Sequence, residues 1–140
     1  DRRHRFGASV NAQLPLGIFL TLDVEAASGE LYTITTGRDD NGDTVSNDRP
    51  PGVPRNSETG PRFQRTDINL SKVFFLRRDA GDQRRAGGAG AQVNVFANIS
   101  NTLNRTNIER VSGALTSRRF GQPTRAGDPR EIEIGIRFQF

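Results

Sequence analysis

The chain ends in a run in which polar and apolar residues alternate strictly, Arg130-Glu131-Ile132-Glu133-Ile134-Gly135-Ile136-Arg137-Phe138-Gln139-Phe140. Every even position from residue 132 onward is large and apolar, and the odd positions are charged, amide or glycine. Successive side chains of a β-strand point to opposite faces, so a period of two predicts a strand with one apolar and one polar face. The predicted apolar face holds Ile132, Ile134, Ile136 and Phe138, and the polar face holds Glu131, Glu133 and Arg137.

The same alternation recurs upstream, between stretches rich in Gly, Pro, Asp and Asn. It predicts five long strands in all, at about residues 4–14, 18–36, 63–76, 91–103 and 130–140. No segment has the i, i+3, i+4, i+7 spacing of an amphipathic helix, so we predict an all-β, antiparallel up-and-down meander. The upstream apolar face holds Val10, Leu20, Leu22, Ile68, Leu70, Val93 and Val95, and the upstream polar face holds Asp23, Glu25, Asp67 and Asn69.

The composition excludes several classes of function. A chain of 140 residues is one ordinary domain, and it has no run near the ~20 apolar residues of a membrane-spanning helix. Cysteine is absent, which excludes disulfides, thiolate metal sites and cysteine nucleophiles. His4 is the single histidine, so a multi-histidine metal site cannot form and a Ser-His-Asp triad would have to use His4. We therefore expect no enzymatic activity.

The charge pattern argues against nucleic acid as a partner. The net charge is +4 and the sequence pI is about 10.8, values that invite a nucleic-acid interpretation. The arginines, however, are scattered in ones and twos and concentrate where turn residues are dense. No basic helix or stripe with interleaved aromatic residues is present in the sequence, so we predict solvated loops and no nucleic-acid binding.

Strand and loop lengths favour a membrane barrel over a soluble sandwich. Strands of ~10 residues tilted by ~40° rise about 25 Å, the height of the apolar band of such a barrel. The connections at 15–17 and 77–90 are shorter than those at 38–61 and 104–129. Outer-membrane barrels have short periplasmic turns and long extracellular loops, and strand parity puts both long connections on one side. We therefore expect the apolar face to contact outer-membrane lipid and the polar face to line a lumen.

About five strands are too few for a closed membrane barrel, since eight is the practical minimum. An open sheet edge is not tolerated in a bilayer, where no water satisfies its backbone groups. We therefore expect the chain to be the C-terminal portion of a longer protein.

Several motifs resemble one family of such proteins. They are Arg3-His4-Arg5-Phe6, Tyr32-Thr33-Ile34-Thr35-Thr36-Gly37, Asn47-Asp48-Arg49-Pro50, Phe96-Ala97-Asn98 with Leu103-Asn104, and the final strand. In this order they are similar to the end of the barrel of TonB-dependent receptors, particularly the Oar-like group with a carboxypeptidase-regulatory-like N-terminal domain. The terminal strand resembles the signal, here Phe138 and Phe140, that the barrel-assembly machinery reads.

The resemblance implies a location, a function and partners. It implies a barrel of roughly 22 strands in the cell outer membrane, filled by an N-terminal plug that is not in this chain. It also implies uptake of a small ligand, captured by the outer loops and powered by TonB through the plug. Arginines of residues 104–129 would face outward, where they would pair with lipopolysaccharide phosphates or serve solubility.

Two features depart from the family pattern. The aromatic girdles are thin, since Tyr32 is the only tyrosine and tryptophan is absent. Lys72 falls at an apolar-face position. We expect it either near the periplasmic interface, extending its ammonium toward water, or displaced by a β-bulge.

The one candidate metal site is an acidic loop. Oxygen-bearing side chains of the kind calcium prefers lie at Asp39, Asn41, Asp43, Asn47 and Asp48. An EF-hand would have Gly and Glu where Thr44 and Pro50 stand. The favoured interpretation is an acidic turn whose side chains cap their own backbone, with calcium as the alternative. No other cofactor is expected.

Two other functions fit the same strands. One is a passive porin or adhesin-like barrel, distinguished from a receptor by the lack of an upstream plug. The other is a soluble β-sandwich that binds carbohydrate or protein, which would be monomeric and folded in buffer without detergent.

Overall fold

The structure is a computed structural model, and it describes residues 2–76 and 91–140. The described chain is all-β apart from one 3₁₀ turn, Pro15–Gly17. Its strands are β1 (Arg5–Leu14), β2 (Ile18–Ala27), β3 (Leu31–Tyr32), β4 (Glu58–Thr59), β5 (Phe63–Phe75), β6 (Gln92–Ser100), β7 (Ile108–Val111), β8 (Pro123–Ala126) and β9 (Glu131–Gln139).

Five strands form one antiparallel sheet in the order β1-β2-β5-β6-β9. The predicted up-and-down meander is therefore confirmed. The sheet is open, because β1 and β9 are its two edges and no described residues pair them with each other. The predicted connection at 77–90, between β5 and β6, lies outside the described residues.

The β1–β2 hairpin sets the register of the first two strands. Leu16 and Gly17 both have positive φ, 65° and 70°, the left-handed conformation that suits tight hairpin turns. From this turn the pairing runs without a shift from Leu14 opposite Ile18 to Arg5 opposite Ala27. Apolar residues of the two strands consequently meet on one face.

The second predicted strand, 18–36, is wrong at its far end, because β2 stops at Ala27. The strand does not continue through Gly29, because Gly29 lies directly against Gly60. A Cβ added to Gly29 would be 1.7 Å from the Gly60 carbonyl oxygen. The Gly60 N–H donates to the Glu30 carbonyl at 2.8 Å. Residues 31–32 then pair with 58–59 in a separate two-stranded sheet. A contact between two glycines far apart in sequence ends the strand, which local alternation could not reveal.

The two long connections meet at the end of the sheet opposite the Pro15–Gly17 turn. The Thr35 N–H donates to the Gly113 carbonyl at 2.9 Å, and the Leu115 N–H donates to the Thr35 carbonyl at 2.9 Å. β7 and β8 form a short two-stranded sheet in the second connection. We call residues 28–62 and 101–130 together the loop layer. The two connections, which the sequence predicted on the same side of the membrane, are therefore joined to each other by hydrogen bonds.

The described residues form almost no hydrophobic core. Ala27 is their single buried hydrophobic residue, and the buried polar residues are Asn101 and Asn107. Ile132, Ile134 and Ile136 are 59%, 75% and 60% exposed. A water-soluble domain of this size normally buries most of its apolar surface. Within the described ranges, no helix has the length and apolar character to cross a membrane.

Candidate functional site

The apolar face of the large sheet consists of cross-strand rows. One row contains Val10, Leu22, Ile68, Ile99 and Ile132, and the next contains Ala12, Leu20, Leu70, Ala97 and Ile134. Nearer the Pro15–Gly17 turn come Leu14, Ile18, Lys72, Val95 and Ile136, and then Phe74, Val93 and Phe138. All residues predicted for an apolar face lie on this one face. Their contact with lipid stays a prediction.

The apolar band shifts along the strands between β2 and β5, being centred in the same row in β1 and β2 and three residues nearer the turn end in β5, β6 and β9. In β1 it runs from Phe6 to Leu14, centred on Val10, whose row ends at Ile132. In β9 it runs from Ile132 to Phe138, so its centre, Gly135, is three residues nearer the turn end. Three residues correspond to about 10 Å along a strand, and the sheet is about 19 Å wide from β1 to β9. Averaged over the five strands, the band is therefore inclined by about 30° to the rows.

Lys72 lies in the apolar face with its register intact. It is opposite Ile18 on one side and Val95 on the other, within pairings that run without a shift. The prediction of a β-bulge is therefore wrong. The Lys72 ammonium lies 4.8 Å from the centroid of the Phe74 ring, two residues nearer the turn end. The side chain thus extends in the direction predicted for a lysine that reaches the periplasmic interface.

A row of amides and hydroxyls crosses the polar face. It contains Asn11, Thr21, Asn69, Asn98 and Glu133. The Thr21 hydroxyl donates to Asn11 Oδ1 at 2.7 Å, Asn69 Nδ2 donates to Asn98 Oδ1, and Asn98 Nδ2 donates to Glu133 Oε2 at 2.9 Å. We call these five residues the amide row. The sequence placed its members on one face, but their mutual hydrogen bonds depend on register.

Charged residues flank the amide row on its loop side. Arg5 Nη2 pairs with Glu25 Oε1 at 2.6 Å, and Arg65 Nε pairs with Asp67 Oδ2 at 2.8 Å. Asp23 lies directly opposite Asp67. The polar face as a whole contains all the residues predicted for it: Asp23, Glu25, Asp67, Asn69, Glu131, Glu133 and Arg137. The face is hydrogen-bonded and ionic, as a wall exposed to water is, and lining a lumen stays a prediction.

Gly135 and Phe96 form a close contact on the polar face. They lie opposite each other on β9 and β6, and a Cβ added to Gly135 would be 2.3 Å from Phe96 Cζ. The Phe96 ring thus covers the glycine backbone, and the Arg137 guanidinium lies 5.9 Å from the ring centroid. Glycine at this position is required by the ring that lies over it.

Two buried asparagines, which sequence reasoning missed, hold the loop layer to the sheet. Asn107 Oδ1 accepts from the Gln64 N–H and Asn107 Nδ2 donates to the Gln64 carbonyl, both at 2.9 Å. Asn101, with φ of 48°, donates from its backbone N–H to Asp67 Oδ1 on β5 at 2.8 Å, and from Nδ2 to the Arg105 and Asp128 carbonyls within the loop layer at 2.9 and 3.1 Å. Nothing in the sequence distinguishes these residues from other loop asparagines, because their partners are distant.

The acidic loop uses its oxygens on its own backbone. Asp39 accepts from the N–H groups of Gly42, Asp43 and Thr44, at 2.7 to 3.0 Å. Asp48 Oδ2 accepts from the N–H groups of Asp40 and Asn41 at 2.6 and 3.1 Å. This is the backbone capping that the sequence favoured.

The calcium hypothesis draws no geometric support from the described part of the chain, where no group of three or more His, Cys, Asp or Glu is arranged to hold a metal. Asp39, Asn41, Asp43, Asn47 and Asp48 as calcium ligands therefore stay a prediction. Asn41, Asp43, Asn47 and Asp48 also line an open cleft of about 1090 Å³ within residues 33–56.

Comparisons with protein-family models, with curated proteins and with solved structures found no match to this chain. What the chain does is therefore inferred from the two faces of its sheet and from its loop layer.

Proposed function

We propose that this chain is the C-terminal part of the β-barrel of a TonB-dependent outer-membrane receptor, which takes up a small ligand with energy delivered by TonB. The observation that carries the proposal is the bare apolar face of the five-stranded sheet. Ile134 on that face is 75% exposed, and no layer of described residues covers it. A contiguous apolar face of five strands promotes aggregation in water, whereas the hydrocarbon of a bilayer can cover it.

The inclination of the apolar band supports a membrane location. A partner sheet packed at about 30° would give a similar inclination, but no described residues form such a sheet over this face. A bilayer is a flat slab, so its boundary crosses tilted strands obliquely. The observed inclination of about 30° is close to the tilt of about 35–45° in outer-membrane barrels.

The open edges support placement within a larger barrel. Along their outer sides, β1 and β9 present backbone groups that no other described strand pairs with. In hydrocarbon each of these groups needs a partner. In the proposal, upstream strands of the full-length protein pair with both edges and close the wall.

The loop layer is the proposed ligand-capture surface. If β9 runs toward the periplasm, the loop layer is extracellular, and its cleft of about 1090 Å³ opens to the outside. Two of the arginines in residues 104–129 are engaged within the protein, Arg105 with Gln64 and Arg125 with Glu109. Arg110, Arg118 and Arg119 are the ones we assign to lipopolysaccharide phosphates. No catalytic role is proposed for any residue.

Site-directed spin labelling of the full-length protein in lipid vesicles tests the membrane assignment. In a cysteine-free background of the full-length protein, Ile134→Cys and Glu133→Cys place single labels on opposite faces of one strand, and residues 1–140 have no cysteine to replace. We expect the label at 134 to collide with oxygen, which concentrates in hydrocarbon, and the label at 133 with a water-soluble nickel chelate. Equal access of the nickel chelate to both labels would contradict a lipid-facing sheet.

Transport powered by TonB is tested separately, without knowledge of the ligand. We expect the full-length receptor to bind the purified periplasmic domain of TonB and to give no steady potassium chloride conductance in planar bilayers, because a plug fills the barrel. Steady conductance without TonB binding would identify a passive porin.

A further inference from the structure

The apolar face contains a groove beside its single charged residue. The groove has a volume of about 300 Å³ and is lined by Lys72 together with Leu70, Phe74, Val95, Ala97 and Ile134. Ala97 lies between Leu70 and Ile134 in one cross-strand row. Because its methyl group is much smaller than its two neighbours, the face is recessed there. The groove therefore has the shape and the apolar lining for a hydrocarbon chain.

Lys72 brings a positive charge that no carboxylate of the described residues neutralises. Its row neighbours are Ile18, Val95 and Ile136. Among residues 2–76 and 91–140 no carboxylate forms an ion pair with it, and its recorded contact is with the Phe74 ring. An ammonium group that reaches a membrane interface attracts anionic lipid headgroups.

We propose that this groove binds one anionic phospholipid, with an acyl chain against Leu70, Ala97 and Ile134 and the phosphate paired with the Lys72 ammonium. The inference rests on the proposed function, since it requires the apolar face to contact a bilayer. It goes further in assigning a lipid class to one site. The site needs an apolar chain and a nearby negative charge in one molecule, and a phospholipid with a net negative headgroup has both.

The orientation of Lys72 sets the leaflet. Its ammonium lies over Phe74, on the side of the Pro15–Gly17 turn, so the headgroup is directed toward the turn end. The loop layer occupies the opposite end of the sheet. The bound molecule is therefore a phospholipid of the leaflet at the turn end. A lipid A molecule at the loop end could not reach Lys72.

The experiment uses the full-length protein in nanodiscs of phosphatidylcholine with a minor fraction of phosphatidylglycerol, and it counts retained lipids by native mass spectrometry. We expect several-fold enrichment of phosphatidylglycerol over its share of the nanodisc. Lys72→Gln should abolish the enrichment, and Lys72→Arg should preserve it. Since a contact between exposed charges is screened by salt, the enrichment should fall as ionic strength rises.

A second pair of variants tests the groove independently of the charge. Ala97→Leu fills the recess and should reduce retention several-fold with Lys72 intact. Ala12→Leu adds the same side chain in the same cross-strand row at β1, away from the groove, and should leave retention unchanged. Unaltered retention in Ala97→Leu would overturn the groove as the acyl-chain site.

The failures of the two proposals are distinguishable. If the wild-type protein enters nanodiscs but retains both lipids in proportion to their abundance, the lipid site is wrong and the membrane assignment stands. If Lys72→Gln keeps the full enrichment, the site is likewise wrong. If the protein does not enter nanodiscs at all, both proposals fail.

Discussion

At the scale of single residues, Gly135 and Asn107 are each fixed by a residue of a neighbouring strand, Phe96 for the first and Gln64 for the second. The face that a strand residue occupies follows from parity alone, so Glu133 and Ile134 could be assigned from the printed sequence. The requirement for glycine at 135 could not, because it arises from a ring on the neighbouring strand, Phe96. The burial of Asn107 could not either, since its partner, Gln64, is 43 residues away.

Gly135→Ala should destabilise the full-length protein by about 1–3 kcal/mol, the usual cost of overpacking. The added methyl group would require the Phe96 ring to move off the strand. Gly7→Ala is the matched control, because Gly7 is on the same face of the sheet and nothing lies within 4 Å of its added Cβ. Urea unfolding in detergent micelles, followed by tryptic accessibility, measures both changes. Equal effects of the two substitutions would contradict the ring contact.

Asn107→Ala should loosen the loop layer at a cost of about 1–3 kcal/mol. The substitution leaves the Gln64 N–H and carbonyl without their side-chain partner. Thr106→Ala is the control, since Thr106 is next to Asn107 in the chain but its side chain is exposed. Hydrogen exchange at the Gln64 amide should accelerate in the first variant alone. Unchanged protection in Asn107→Ala would remove the asparagine from the account of loop docking.

At the scale of elements, alternation predicted the large sheet well and the loop layer poorly. A strand with one apolar and one polar face tolerates no slip of one residue, which would exchange its faces. The five strands and their pairing order were therefore predictable. The end of β2, the β3–β4 pair and the β7–β8 pair depend on contacts such as Thr35 with Gly113, which join segments far apart in sequence.

Deletion of Phe140 should impair membrane insertion of the full-length protein. Phe140 follows the end of β9 and is fully exposed, so it contributes little to the packing of the sheet, and its loss should act on assembly. Phe75→Ala is the control, because Phe75 is also a highly exposed phenylalanine near a strand end. Heat-modifiable migration in outer-membrane fractions reports insertion. Normal assembly of the deleted form would argue against a C-terminal signal.

At the scale of the whole molecule, the sheet lacks the layer that would stabilise it in water. Its described residues bury one hydrophobic side chain, Ala27. Burial of apolar surface normally stabilises a folded domain. Here that surface must be covered by molecules or segments other than the described residues. In the proposal these are lipid on one face and further strands at both edges.

Residues 1–140 produced alone in buffer without detergent should therefore associate or aggregate. Addition of micelles should reduce the association, because detergent chains cover Ile132, Ile134, Ile136 and Phe138. Light scattering and far-ultraviolet circular dichroism measure the two properties. A folded monomer in plain buffer would favour a soluble β-sandwich and contradict the membrane assignment.

The amide row has a geometric consequence in the proposed barrel. The row is perpendicular to the strands, whereas the apolar band is inclined to it by about 30°. Asn11 is one residue to the turn side of the band centre in β1, and Glu133 is two residues to the loop side of the band centre in β9. In the proposed barrel the row therefore changes its depth in the membrane as it passes from strand to strand along the inner wall. A solute that follows the row would pass amide, hydroxyl and carboxylate groups in turn while its depth in the membrane changes.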